Sequence, residues 1–238
     1  MRLGAIIFNS PALLGGQAEK QGLSCGSCHQ NGRGNPEFQL DAVSGAPGTA
    51  DVTSGLFSKV RADNTFNPVS IPDIARSEGR KKVDRRDRAA LGTFVRGQIV
   101  EEFSGDEPSG RALDLLLTYL EHLDDREASC ASDETKARHW EQDWHAAKLA
   151  AEQAGDARLP EARAFWVRTA RLSIGRIHDR YGASEHAGIR ADLVALSRAL
   201  GTGAAWPDDT ERLMQGLQNG AAQSLYDPDA LRAALKTP

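Results

Sequence analysis

The sequence predicts a mainly α protein in two parts, a loop-rich amino-terminal domain over about residues 1–125 and a helical bundle over 126–238. Three observations predict it. The tract from Gln30 to Asp73 is rich in Gly, Pro, Asn and Ser and carries its apolar residues singly, which is too long for an ordinary connection and too apolar for a disordered one. From Ala89 the pattern turns helical. Beyond Asp125 glycine and proline thin out, alanine and charge rise, and all four tryptophans appear. With 238 residues, of which 40% are apolar, the chain can bury one large core or two small ones.

The elements follow in order. Leu3 to Phe8 is a short apolar stretch ending at Asn9-Ser10-Pro11, and Leu13-Leu14 leads into Gly15-Gly16, so a brief helix is expected here. Cys25-Gly26-Ser27-Cys28-His29 then forms the C-x-x-C-H pattern that fixes a haem covalently. Each thiol can add across one porphyrin vinyl group, and the adjacent histidine is left under the iron. The expected cofactor is one haem c bound through Cys25 and Cys28, with His29 as axial ligand. The alternatives are a redox pair or half a zinc site. Zinc needs about four ligands, and no second C-x-x-C or H-x-x-x-H partner is present. A thioredoxin-type pair calls for a strand before it and a helix after it, whereas Gly and Ser precede and Gln30-Asn31-Gly32-Arg33-Gly34 follows. The amino-terminal part is therefore expected to be a c-type cytochrome haem domain. Its brief first helix would lie on one porphyrin face, and the tract to Asp73 would wrap the haem edge with Phe38, Leu40, Val43, Leu56, Phe57, Val60, Phe66, Val69 and Ile71.

Arg76 to Arg88 carries seven basic residues broken by Glu78, Asp84 and Asp87. It reads as a solvated helix start or as a docking patch for an acidic redox partner protein. Leu91, Phe94, Val95, Ile99 and Val100 recur at helical spacing and stop before Ser104-Gly105-Asp106-Glu107-Pro108. A second helix, Arg111 to Asp124, puts Leu113, Leu116, Leu117, Leu120 and Leu123 on one wide core face. Further helices are expected over Asp133–Ala154, Pro160–Tyr181, His186–Leu200, Asp208–Asn219 and Asp229–Leu235, with Pro160 in a first turn, Asp208 as a cap, and Gly155, Gly182 and Gly201 just past helix ends. Trp140 and Trp144, four apart, are expected to pack the bundle. Cys130, the third cysteine, has no evident partner and sits in a polar stretch that reads as an exposed linker.

A net charge of −4 gives no reason to expect a nucleic-acid partner, and no apolar run is long enough for a membrane span. Covalent haem attachment follows export, so the chain is expected to be periplasmic or otherwise exported, its leader absent from this sequence.

Leu3-Gly4-Ala5-Ile6-Ile7-Phe8-Asn9-Ser10-Pro11-Ala12-Leu13, read into Gly22-Leu23-Ser24 and the haem motif, resembles the entry to a haem domain of bacterial di-haem cytochrome c peroxidases and of the relatives that mature methylamine dehydrogenase. Asn67 to Ala75 is similar to that family's proline-containing stretch closing over the haem, and Phe94 to Phe103 with the leucine-rich helix looks like such a domain's end. The resemblance spans about Leu3 to Leu123. It implies a haem redox domain, and by it Glu101 is the best placed acid–base group for peroxide chemistry. The departures are that one haem motif stands where the family has two, that the family's aromatic-histidine-aspartate-glycine segment is replaced by the basic run, and that the half beyond Asp125 has no counterpart.

No methionine lies between Met1 and Met214 and no histidine between His29 and His122, so a sixth iron ligand comes from Met214 or His122, or the site is open. Arg33 and Arg61, inside the wrapping tract, are the expected partners of the haem propionates. The leading expectation is a one-electron redox module. The alternatives are a mono-haem peroxidase or oxidase with an open iron and Glu101, and a haem subunit or sensor of a larger redox complex.

Overall fold

The structure, a computed structural model, describes residues 1–75, 83–123 and 139–236. It is mainly helical, and the chain divides into two compact units, Met1–Cys130 and Ala131–Pro238. The boundary expected near residue 125, the first half of the basic run, and Cys130 lie outside the described residues. Among the described residues no helix is long and apolar enough to cross a membrane.

The first unit opens with helix α1, Arg2–Phe8, a turn at Pro11–Leu13, helix α2, Gly16–Lys20, and the one-turn helix α3, Cys25–Cys28. A long irregular tract follows, held by the two-residue strands β1, Thr49–Ala50, and β2, Val69–Ser70, which pair antiparallel with Thr49 opposite Ser70. Helix α4, Arg88–Gly97, starts where the Asp87 carboxylate accepts the Ala90 amide, and it runs into a π turn, Gln98–Glu102. Ser109 caps α5, Gly110–Glu121, by accepting the Ala112 amide, and Leu116, Leu117 and Leu120 are buried as their spacing predicts.

Helix α1 packs on α5. Gly4 makes the close approach: a Cβ there would lie 2.3 Å from the Leu115 carbonyl oxygen and 2.6 Å from Tyr119 Cβ. One turn on, the Phe8 and Tyr119 rings meet at 5.2 Å. The apolar side of α1, expected on a porphyrin face, is thus largely taken by α5. In the irregular tract, Phe38, Val43, Ala50 and Phe57 form a core with Leu14 and Ala18 of the preceding segment. Val60, Phe66 and Val69 of the same tract lie outside this core and are exposed.

The basic run ends as structure where it is described. Arg85 donates to the carbonyls of Leu120, Leu123 and Ala75, and Arg88 pairs with Asp114 and Glu121. These two guanidiniums tie the start of α4 to α5.

The second unit is built from α6, Trp140–Asp156, α7, Pro160–Arg180, α8, Ala187–Gly201, α9, Glu211–Gly220, and α10, Pro228–Lys236, with α7 packed between α6 and α8. Pro160 occupies the first turn of α7. Trp140 and Trp144 are buried as expected, Trp144 edge-on to Trp206 at 5.0 Å. Ala147, Ala150, Ala154 and Ala170 are buried where α6 and α7 pack closely. Asp143, fully buried, accepts the Tyr226 hydroxyl at 2.7 Å and faces Arg176 at 3.6 Å. Several expected ends differ, and Gly201 is the last residue of α8 rather than just past it. Gly155 lies inside α6, and α9 begins at Glu211 after Thr210, because Asp209 rather than Asp208 takes the first free amide, that of Glu211.

Candidate functional site

The C-x-x-C spacing places Cys25 and Cys28 one turn apart on α3, so both thiols leave the same helix face. Such a short helix needs its ends satisfied. A second repeat of the same spacing does this at the start: the Ser24 hydroxyl accepts the Ser27 amide while the Ser24 amide donates to Ser27 Oγ at 3.0 Å. At the far end, Asn35 donates from its backbone amide to the Cys28 carbonyl and from Nδ2 to the Ser27 carbonyl, each at 2.9 Å. Gly26 is the contact with α1. A Cβ there would lie 2.2 Å from Asn9 Oδ1, and the Asn9 amide is itself held by the Ala5 carbonyl.

His29 follows the last turn. Its Nδ1 lies 3.1 Å from the carbonyl oxygen of Pro72. A carbonyl only accepts, so Nδ1 carries the proton and Nε2 keeps its lone pair, the arrangement of a histidine ready to bind a metal through Nε2. Burial holds the His29 pKa below its ordinary value, opposed by the Pro72 hydrogen bond and the Asp73 charge, which favours the neutral, ligating form.

Both cysteines are half-buried and free. They pack with Leu23, Leu40, Val52, Leu56, Ile71 and Phe103, all partly buried, against the core formed by Leu14, Ala18, Phe38, Val43, Ala50 and Phe57. Burial pushes the Cys25 thiol up to about 12, with the neighbouring Cys28 adding to it against a backbone hydrogen bond that lowers it. Burial pushes Cys28 up to about 11. A low-pKa thiolate, the mark of a thioredoxin-type pair, is absent from this setting. Among the described residues no three His, Cys, Asp or Glu side chains gather as a metal-holding group. Two neutral thiols on one helix face, an imidazole with a free Nε2 and an apolar wall fit a covalently attached porphyrin.

Relative to an ordinary thiol at 9.0, the rise to about 11 leaves Cys28 with about a hundredfold less thiolate at neutral pH. In chain produced without export, alkylation of Cys28 by iodoacetamide at pH 7 is therefore expected to run about a hundredfold slower than in urea. Equal rates with and without urea would contradict this burial.

The other expected site residues are placed as follows. Arg33 Nη1 donates to Asp73 Oδ2 at 3.1 Å, which ties it to the segment that carries Pro72. Arg61 donates from Nε and Nη2 to one oxygen of Glu101, at 3.2 and 2.7 Å, and from Nη1 to Glu102 at 2.8 Å. Arg61 and Glu101, expected in separate roles, are thus partners of each other at the π turn, with the Glu101 carbonyl held by the Ser58 hydroxyl. Glu102 is the buried member, its side chain 5% exposed. His122 is exposed at the end of α5, its Nδ1 2.7 Å from the Thr118 carbonyl. Met214 lies in the second unit, 38% exposed, with the Thr210 hydroxyl 3.7 Å from its sulfur.

Pro72, Asp73, Asn35 and the Ser24–Ser27 pair were not among the expected site residues. Two signals pointed to them: the serine repeat flanking the cysteines, because a capping box has a fixed spacing, and the resemblance of Asn67 to Ala75 to a stretch that closes over a haem. Comparison with protein-family models, with curated proteins and with solved structures finds no match to this chain.

Proposed function

We propose that the chain is a c-type haem protein, exported before its haem is attached through Cys25 and Cys28, and that it serves as a one-electron redox module for a partner protein. The observation that carries this reading is the His29–Pro72 hydrogen bond beside two half-buried, neutral thiols on one helix face. The haem, when bound, supplies one-electron exchange at its iron. The chain's own residues supply the rest: Cys25 and Cys28 anchor the ring, His29 presents Nε2 to the metal, and the wall from Leu23 to Phe103 keeps water from one side. Kinship with the di-haem cytochrome c peroxidases is part of the proposal and rests on the resemblance of Leu3 to Leu123.

One observation favours a second reading, an iron open to peroxide or a small gas. His122, the other histidine of the first unit's described residues, is exposed at the end of α5 rather than packed beside the two cysteines. The ferric absorption spectrum separates the two. Electron transfer through a bound methionine gives a low-spin spectrum with a methionine-to-iron charge-transfer band that Met214→Ala removes. The open site gives a high-spin spectrum that shifts on adding cyanide, and peroxide turnover that Glu101→Gln abolishes. A pigment-free exported chain contradicts both.

A further inference from the structure

Proline fixes φ near −65°, so the direction of the Pro72 carbonyl is decided by ψ, which swings the peptide plane shared with Asp73. The hydrogen bond to His29 therefore depends on what holds Asp73. One Asp73 oxygen accepts Arg33 Nη1 at 3.1 Å and the other accepts the Ala75 amide at 3.0 Å. The Gly32 carbonyl accepts the amides of both Ile74 and Ala75 at 2.8 Å. Gly34 lets the two segments touch, since a Cβ there would stand 2.5 Å from the Ile71 carbonyl oxygen. Arg85 anchors the end of the segment by donating to the Ala75 carbonyl at 2.8 Å. Arg33 sits four residues after His29, so the same turn that carries the imidazole also carries the clamp on its acceptor.

We propose that Arg33 and Asp73 are positioning residues that set the proton of His29: by fixing the Pro72–Asp73 peptide they hold the carbonyl on Nδ1 and leave Nε2 as the metal-binding nitrogen. The consequence for an iron rests on the haem reading; the consequence for the tautomer does not. A hydrogen-bonded Nδ1–H makes the imidazole a stronger donor and favours ferric iron, so release of the clamp raises the reduction potential.

The experiment uses the full chain in two forms, unloaded and haem-loaded, as wild type, Arg33→Leu, Asp73→Asn and Arg33→Lys. Nitrogen NMR of the unloaded chain reads the His29 tautomer, redox titration of the loaded chain reads the midpoint potential, and circular dichroism confirms unchanged helix content. Wild type is expected to hold the proton on Nδ1. Arg33→Leu and Asp73→Asn shift His29 to a mixture in which the Nε2–H form predominates, and both raise the midpoint potential. Arg33→Lys, which keeps a cation within reach of Asp73, restores both readings. Unmoved tautomer and potential in the two charge-removing variants, or a lysine variant that behaves as the leucine one, overturns the clamp. A wild-type exported chain without covalent pigment, whose tautomer still follows Arg33, overturns the haem reading and leaves the clamp standing.

Discussion

Replacing Cys25 and Cys28 together by serine is expected to abolish acid-stable pigment in the exported chain, while either single substitution leaves a haem held by one thioether. On the proposed reading the two sulfurs serve as separate anchors: they leave one face of α3 a turn apart, half-buried against the apolar wall, with pKa values pushed up to about 12 and about 11. The fold should survive, because α3 is held from both ends by groups other than the thiols, the Ser24–Ser27 box and Asn35. Seating two hydroxyls in place of thiols costs about 1–3 kcal/mol each, so the double alanine variant serves as the control for packing. Acid-acetone extraction reads the result. Pigment that resists extraction in the double variant would show that attachment lies elsewhere.

Gly4→Ala is expected to destabilise the first unit by about 3 kcal/mol, the upper range for overpacking a tight contact. The added methyl would meet the Leu115 carbonyl oxygen at 2.3 Å and Tyr119 Cβ at 2.6 Å, neither of which is the loose end of a flexible side chain. Helix α1 must then lift from α5, taking with it Phe8 and Asn9, which abut Gly26 between the two cysteines. Haem attachment should fall alongside stability. Gly175→Ala offers the opposite sign. It lies inside α7, a Cβ there meets nothing within 4 Å, and removing the backbone entropy of a helical glycine stabilises by roughly 0.5–1 kcal/mol. Urea unfolding followed by circular dichroism measures both. Equal effects at the two glycines would contradict the tight α1–α5 contact.

The contrast between these glycines shows what was legible before the structure. Both stand in helical stretches, and nothing local separates them; Gly4 differs only through Leu115 and Tyr119, far along the chain. The leucines of α5 and the tryptophans of α6 were readable because helical periodicity is local, and Leu116, Leu117, Leu120, Trp140 and Trp144 are buried accordingly. The cysteines and His29 were readable because their spacing is itself the signal. The partners of His29, Arg33 and Arg61 were not. Pro72 and Asp73, and Glu101 and Glu102, reach them across an irregular tract whose path is set by turns and by its own small core, with no period from which to count. Assigning Arg33 and Arg61 to propionates followed from their place in the wrapping tract and from the fit of a guanidinium to a carboxylate, and the structure shows that each also meets a carboxylate of the chain itself. The expected cap at α9, Asp208, lies two residues before the observed one, because Thr210 precedes the helix without a side-chain cap bond and so leaves no capping signal in the sequence.

The most direct measurement of the central claim is mass spectrometry of the exported, wild-type chain after proteolysis. The peptide carrying Cys25 to His29 is expected to bear the mass of one haem, with both cysteines resistant to alkylation after denaturation. Recovery of that peptide unmodified, with two thiols open to alkylation, would contradict it.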